Sequence, residues 1–177
     1  MAITGSPHSL PDLPGRAEAY LTIAAAIDWL RQHADAQPSL AELAAYIGLS
    51  EFHLQKQFAR WAGLSPKRFL QQMAKERALA ALRAGEDVMG ASLSAGLSGP
   101  GRLHDLLVSC EAATPGEIKT GGAGLLFYWG VADTPLGQAL LAAGERGIVK
   151  LAFLDADLPL RLAELAETWP AATLLRD

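Results

Sequence analysis

The sequence predicts a mainly α fold: a tandem helix-turn-helix domain followed by a small α+β lobe with antiparallel strands. Three observations predict it. Apolar residues recur at helical spacing as far as about Lys119. A short helix, a glycine turn and a second short helix occur twice, joined by one long helix. After Gly121-Gly122 the texture changes to short apolar segments separated by turn residues.

The elements follow in order. Residues 1–15, "MAITGSPHSLPDLPG", are punctuated by proline and glycine and are expected to form a flexible tail. Ala17 to His33 carries Tyr20, Ile23, Ala24, Ile27, Trp29 and Leu30 at helical spacing, and Gln37-Pro38 ends it. Ser39 stands before "LAELAAYIG" with Glu42 three residues on, the pattern of a capping box. Gly48 stops that helix and supplies the left-handed backbone of a sharp turn. Ser50 opens "EFHLQKQFARWAG", and Gly63 closes it. Leu40, Leu43, Ala44 and Ile47 would face inward from the first helix, Leu54 and Phe58 from the second. Ser65-Pro66 then opens a longer helix from Lys67 to about Ala84, proline being well placed in a first turn.

The motif repeats. Ala44, Gly48, Leu49 and Ser50 recur as Ser92, Gly96, Leu97 and Ser98. Leu54, Phe58, Ser65, Pro66 and Phe69 recur as Leu103, Leu107, Thr114, Pro115 and Ile118. The second copy carries one extra residue after Ser98, inside Gly99-Pro100-Gly101. Beyond Gly122, "LLFYWGVA", "GQALLAAG" and "GIVKLAFLD" read as strands of an antiparallel meander, and Leu158 to Thr168 has helical spacing.

Composition narrows the function. Half of the 177 residues are hydrophobic and 19% are charged, which suits a folded core. The net charge is −4, but the charges are segregated. Between Ser50 and Arg83 the bases Lys56, Arg60, Lys67, Arg68, Lys75, Arg77 and Arg83 face only Glu51 and Glu76, whereas the balance reverses beyond Val131, with Asp133, Glu145, Asp155, Asp157, Glu164, Glu167 and Asp177. That split suggests two units with different partners. One cysteine, Cys110, excludes an intramolecular disulfide and a cysteine-rich zinc site. No apolar run is long enough to span a bilayer, and the N-terminus lacks the pattern of a signal peptide. The expectation is a cytoplasmic protein that does not engage membranes.

The stretch "LAELAAYIGLSEFHLQKQFARWAGLSPKRF", with its second copy through "TPGEIK", resembles the paired helix-turn-helix domain of AraC-type transcription regulators. The resemblance covers roughly Ala17 to Lys119 and implies a seven-helix domain over 16–120 that binds double-stranded DNA. The segment 125–177 resembles the ribonuclease-like lobe of methylated-DNA–protein cysteine methyltransferases, which follows an AraC-type domain in bifunctional regulators of the Ada type. The resemblance therefore implies a DNA-binding regulator of the alkylation-damage response, with RNA polymerase as a further partner. The alternative is a fragment of such a methyltransferase, with a repair role. Its catalytic Pro-Cys-His-Arg segment is not in the sequence, and the chain is expected to be truncated before that domain. No catalytic residue, metal ligand or cofactor is implied, and the chain is expected to be a monomer or to self-associate weakly. Cys110, in no such context, is expected to be a small buried residue, and Trp29, Trp61, Trp129 and Trp169 to lie in the core.

In a helix-turn-helix the first residues of the second helix meet base edges in the major groove. By position in the AraC pattern these are Phe52, Gln55 and Lys56 in the first copy. Glutamine can pair with adenine, lysine can donate to guanine, and an aromatic ring can touch a thymine methyl. In the second copy the matching segment offers Arg102, His104 and Asp105. Arg102 is the better donor; Asp105 suits only cytosine or the orientation of Arg102. Arg60, Lys67 and Arg68 are candidate phosphate partners. Ser39, Ser50, Ser98 and Thr114, together with Ser65, are candidate helix caps, and the first four could also place backbone N–H groups against phosphate.

Overall fold

The computed structural model describes residues 13–155 and 157–177. The tail expected over 1–15 lies outside the described residues as far as residue 12. The helix that follows begins earlier than the sequence pattern suggests: α1 spans Leu13–His33. Pro14 does not block it, because N–H groups of a first turn have no helical acceptor. A 3₁₀ turn, Ala34–Ala36, leads to α2 (Leu40–Ile47), α3 (Glu51–Ala62), α4 (Pro66–Arg83), α5 (Val88–Ser94), α6 (Pro100–Glu111) and α7 (Pro115–Lys119). The strands β1 (Leu126–Thr134), β2 (Gly137–Gly144) and β3 (Gly147–Phe153) follow, then α8 (Leu158–Thr168) and β4 (Thr173–Arg176). The chain divides into two compact units, residues 1–72 and 73–177, and the division falls inside α4.

In the first unit α1 packs on α2 and α3. Ile23, Ala26 and Leu30 of α1 meet a core of Leu43 and Ala44 from α2 and Leu54 and Phe58 from α3, all at most 4% exposed. Leu40 and Ile47 are half-buried at its margin. Phe58 and Phe69 stand edge to face with centroids 5.9 Å apart. Trp61 is half-buried beneath α1, edge-on to Tyr20 at 6.0 Å and under the guanidinium of Arg16.

Both turns close in the same way. Gly48 takes φ 76° and Leu49 N–H donates to Ala44 C=O at 3.1 Å. Gly96 takes φ 72° and Leu97 N–H donates to Ser92 C=O at 2.9 Å. A wrapped-back bond of this span fixes where the second helix of each pair departs. Ala44 and Ser92 are small because they are buried at that crossing, and the Ser92 hydroxyl donates to Met89 C=O at 2.7 Å.

The starts of the helices differ. Ser39 caps α2, Ser50 caps α3, Asp87 caps α5 and Thr114 caps α7. Ser98 is not a cap: the extra residue of the second copy moves the start of α6 to Pro100, with Gly99 at the N-cap and no side-chain cap. At the other end, α3 stops on Gly63 at φ 76°, but its counterpart after α6 is Ala112 at φ 53°. A side chain in left-handed backbone costs about 1 kcal/mol.

One core runs through the second unit. Ala74, Ala78 and Leu82 of α4, and Leu103, Leu106 and Leu107 of α6, pack together with Phe127 and Ala142 of the sheet, Leu165 of α8 and Trp169. The sheet order is β3-β2-β1-β4. The first three strands form the expected antiparallel meander; β4, which the sequence pattern does not reveal, pairs parallel to β1 with Leu126 opposite Thr173. Gly121 and Gly122 allow the chain after α7 to pass against residues 169–172. A Cβ on Gly122 would lie 3.0 Å from Trp169, and Ala171 N–H donates to Gly121 C=O at 2.9 Å. Arg146, in the β2–β3 turn, makes a two-pronged ion pair with Glu117 of α7 at 2.8 and 2.9 Å.

Two expectations are corrected. Cys110 is exposed, because the buried face of α6 is set by Leu103, Leu106 and Leu107 and the last turn runs past it. Of the four tryptophans only Trp169 is buried; Trp29, Trp61 and Trp129 are half-buried. Trp29 lies flat between His33 and Tyr46, with centroids 4.3 and 5.4 Å away.

Two outcomes follow for stability. Ala112→Gly should stabilise the protein by about 0.5–1 kcal/mol in chemical denaturation, since the relief of strain exceeds the added freedom of the unfolded chain. Burial pulls the Glu117 carboxyl up, but hydrogen bonds from Arg146 and Thr114 outweigh it and hold the pKa below the usual carboxylate value. A carboxylate lowered on folding stabilises the protein above its unfolded pKa, and that contribution is lost as pH falls through the folded pKa. Glu117→Gln should therefore cost about 1 kcal/mol at neutral pH and progressively less in acid, as read by thermal melts across pH.

Candidate nucleic-acid interface

Helix α3 has two faces. Leu54 and Phe58 are fully buried, and this burial turns Phe52, Gln55, Lys56 and Ala59 outward as one stripe at helical spacing. Phe52 is 78% exposed on the first turn. A large aromatic ring left in water at a helix start is costly for a solitary surface and well suited to a contact surface. Gln55 and Lys56 are exposed beside it, and Arg60 is exposed one turn further on. The structure adds Ala59 to the stripe. Its signal in sequence is only the spacing, because a small apolar residue carries no chemistry of its own.

Lys67 and Arg68 are exposed in the first turn of α4. The Ser65 hydroxyl accepts from Arg68 N–H at 3.3 Å, as the Ser50 hydroxyl accepts from His53 N–H at 3.3 Å. Both serines act as acceptors there, and their hydroxyl hydrogens can serve another acceptor. Ser39 is bound differently. Its hydroxyl and its N–H both donate to the Glu42 carboxylate at 2.8 Å. Those two bonds hold the Glu42 carboxyl below its usual pKa, so an anion approaching Ser39 meets a negative charge. Thr114 repeats this arrangement with Glu117 at 2.7 and 2.9 Å, and it is half-buried.

Helix α6 presents a different surface. Gly101, Arg102, His104 and Asp105 are exposed over buried Leu103, Leu106 and Leu107. Asp105 lies 3.7 Å from the His104 ring nitrogen, so its recorded partner is the histidine and not Arg102. Ser98 is exposed ahead of the helix. Each helix-turn-helix thus brings its own candidate residues onto one solvent-facing helix start. Among the described residues no group of histidine, cysteine and acidic side chains could hold a metal ion. No described helix is long and apolar enough to cross a membrane.

Comparison with known proteins finds similar sequences and folds. Residues 43–121 match the family model of a helix-turn-helix domain, and residues 127–176 match that of the 6-O-methylguanine DNA methyltransferase ribonuclease-like domain. The chain is therefore similar to a helix-turn-helix domain over its first part and to a methyltransferase-type ribonuclease-like domain over its last. It is similar to the bifunctional transcriptional activator/DNA repair enzyme Ada of Escherichia coli K12, 31% identical over 134 residues. The regulatory protein Ada of Salmonella typhimurium matches to the same extent. These matches cover 76% of this chain but only 38% of either relative. Two solved structures share the helical fold, each with a TM-score of 0.53. The C-terminal domain of AraT, a response regulator from Geobacillus stearothermophilus, is 14% identical and matches over 56% of this chain and 84% of its own. An AraC-type transcriptional regulator from Chromobacterium violaceum is 19% identical and matches over 61% and 97%.

The candidate side chains are exposed and carry no packing. Gln55→Ala, Lys56→Ala and Arg102→Ala should each leave unfolding free energy within about 0.5 kcal/mol of the parent in denaturant titrations.

Proposed function

We propose that this chain is a sequence-specific DNA-binding transcription regulator of the Ada type, working in the cytoplasm in the response to alkylated DNA. The observation that carries it is the stripe Phe52–Gln55–Lys56, turned to solvent on the second helix of a helix-turn-helix, with Phe52 78% exposed. In this reading Gln55 and Lys56 bond base edges and Phe52 packs on a thymine methyl. Arg60, Lys67 and Arg68 hold phosphates, aided by backbone N–H groups at the Ser50 cap. Ser39 and Thr114 contribute through helix starts whose hydroxyls are already committed to Glu42 and Glu117. In the second copy Arg102 bonds a guanine or a phosphate, with His104 and Asp105 beside it and Ser98 at the approach. One chain supplies both reading helices, and RNA polymerase is the protein partner that regulation implies.

A second reading, a repair role, rests on the match over residues 127–176. The cysteine of this sequence, Cys110, lies in α6 rather than in that domain. Incubation with duplex DNA carrying O6-methylguanine, followed by mass spectrometry, is expected to leave Cys110 unmethylated; a methyl group found there would favour the repair reading.

Duplex binding should weaken steeply with salt. About four phosphate contacts give a slope of roughly −3 to −4 in log K against log salt. In a selected-site titration Lys56→Ala and Arg102→Ala should each cost about 1–3 kcal/mol, at different half-sites. Binding that ignores salt, or both substitutions, would overturn the proposal.

A further inference from the structure

The sheet of the second unit places its side chains the wrong way round for a surface that stays in water. An antiparallel sheet covered on one side ordinarily sends its apolar residues to the covered face and its polar ones outward. Here both faces are apolar. Phe127, Trp129, Leu140 and Ala142 share the face turned to α8 and the core, as the pairing of Trp129 with Ala142 and Val131 with Leu140 requires. The alternate positions form the opposite face. They include Leu126 and Tyr128 of β1, Ile148, Leu151 and Phe153 of β3, and Leu175 of β4, which are 40–55% exposed.

The charges sit on the other side. Strands β1 to β4 carry three charged residues, Asp133, Lys150 and Arg176. Lys150 pairs opposite Ala142 and reaches Glu164 of α8 at 2.8 Å. Arg176 pairs opposite Trp129 and lies 5.6 Å from its ring. Asp133 follows Trp129 and Val131 in the alternation and accepts from Gln138 at 3.1 Å. All three belong to the helix-facing register; the strand positions of the open face carry no charged side chain, and Asp177, just past β4 with its N–H donating to Trp129 C=O, is the charged residue that follows Leu175 in the alternation at its margin.

We propose that this open sheet face is a self-association surface, and that two copies of the chain dock through it face to face. Three considerations select a second copy as the occupant. Six large side chains at about half exposure offer roughly 600 Å² per copy, about 1,200 Å² for a pair, at the lower limit of specific interfaces. A face whose strand positions are uncharged can meet itself with its only like charges, at Asp177, kept at the margin, although the chain as a whole carries −4. Edge-to-edge pairing is the less suitable route, because β2 and β3 shift register at Ala142/Ala143 and the irregularity bends the β3 edge. An interface at this lower size limit belongs with the weak, transient class, so association is sought at micromolar concentrations and above.

Sedimentation velocity on the full chain, from about 1 to about 200 μM, tests it across that range. The average mass should rise from one chain to two and level off. Leu151→Glu, which puts a charge on this face beside Leu141 and between Ile148 and Phe153, should weaken dimerisation at least tenfold. Leu136→Glu should not, although Leu136 is 81% exposed, because it lies in the β1–β2 turn. Circular dichroism melts establish that each variant is folded. Hydrogen exchange on the parent gives an independent reading: amides of β3 should gain protection with concentration. A single-chain mass at every concentration overturns the proposal. So does a folded Leu151→Glu variant that still dimerises, or a mass that climbs past two chains without levelling off.

Discussion

Burial of Trp169 against Phe127 is the contact on which residues 73–177 depend. The two rings meet edge to face at 5.3 Å, and around them stand Leu103 and Leu107 of α6, Leu82 of α4 and Leu165 of α8. A tryptophan ring removes about 200 Å² from water, which contributes about 5 kcal/mol. That exceeds the roughly 1–3 kcal/mol cost of an indole N–H left without a partner, as it is here. The ring can be reached only because Gly122 brings bare backbone against it. The second helix-turn-helix and the strand lobe consequently share one interior. The ion pair between Glu117 and Arg146 joins them again at the surface.

The two copies of the helix-turn-helix keep one skeleton and diverge in what they display. Each has a buried small residue at the crossing, a left-handed glycine turn and the same wrapped-back bond. Their outward residues do not correspond in chemistry. Where α3 offers Phe52, Gln55 and Lys56, α6 offers Gly101, His104 and Asp105. Duplication held the parts that fix helix geometry and released the parts that meet solvent, as expected when packing tolerates little change and an exposed face tolerates much.

Much of this was legible in the sequence, for reasons that can be named. Capping serines and left-handed glycines act locally, so α2, α3 and the turns were placed from a few residues each. The stretch Leu158 to Thr168 was recognisable because its periodicity spans several turns. The face of α3 followed once Leu54 and Phe58 were assigned to the core. What stayed hidden depends on distant partners. Strand β4 has four residues and exists only because β1 lies alongside it. The exposure of Cys110 depends on where the lobe stops covering α6. The missing cap at Ser98 depends on one inserted residue, whose effect on the start of α6 is set by Pro100.

The shared interior has a consequence for the order in which the protein is made. Residues 1–72 contain all the core of the first unit and can fold as soon as they leave the ribosome. The packing of α6 cannot be completed so early. Its packing surface, Leu103 and Leu107, waits for Phe127 and then for Leu165 and Trp169, some sixty residues later. At a synthesis rate of about 5–20 residues per second, that is an interval of several seconds in which α6 has α4 and α5 beside it but lacks Phe127, Leu165 and Trp169. During that interval the core beneath α3 is complete and the core beneath α6 is not, so the exposed faces of the two helices are presented in sequence and not together.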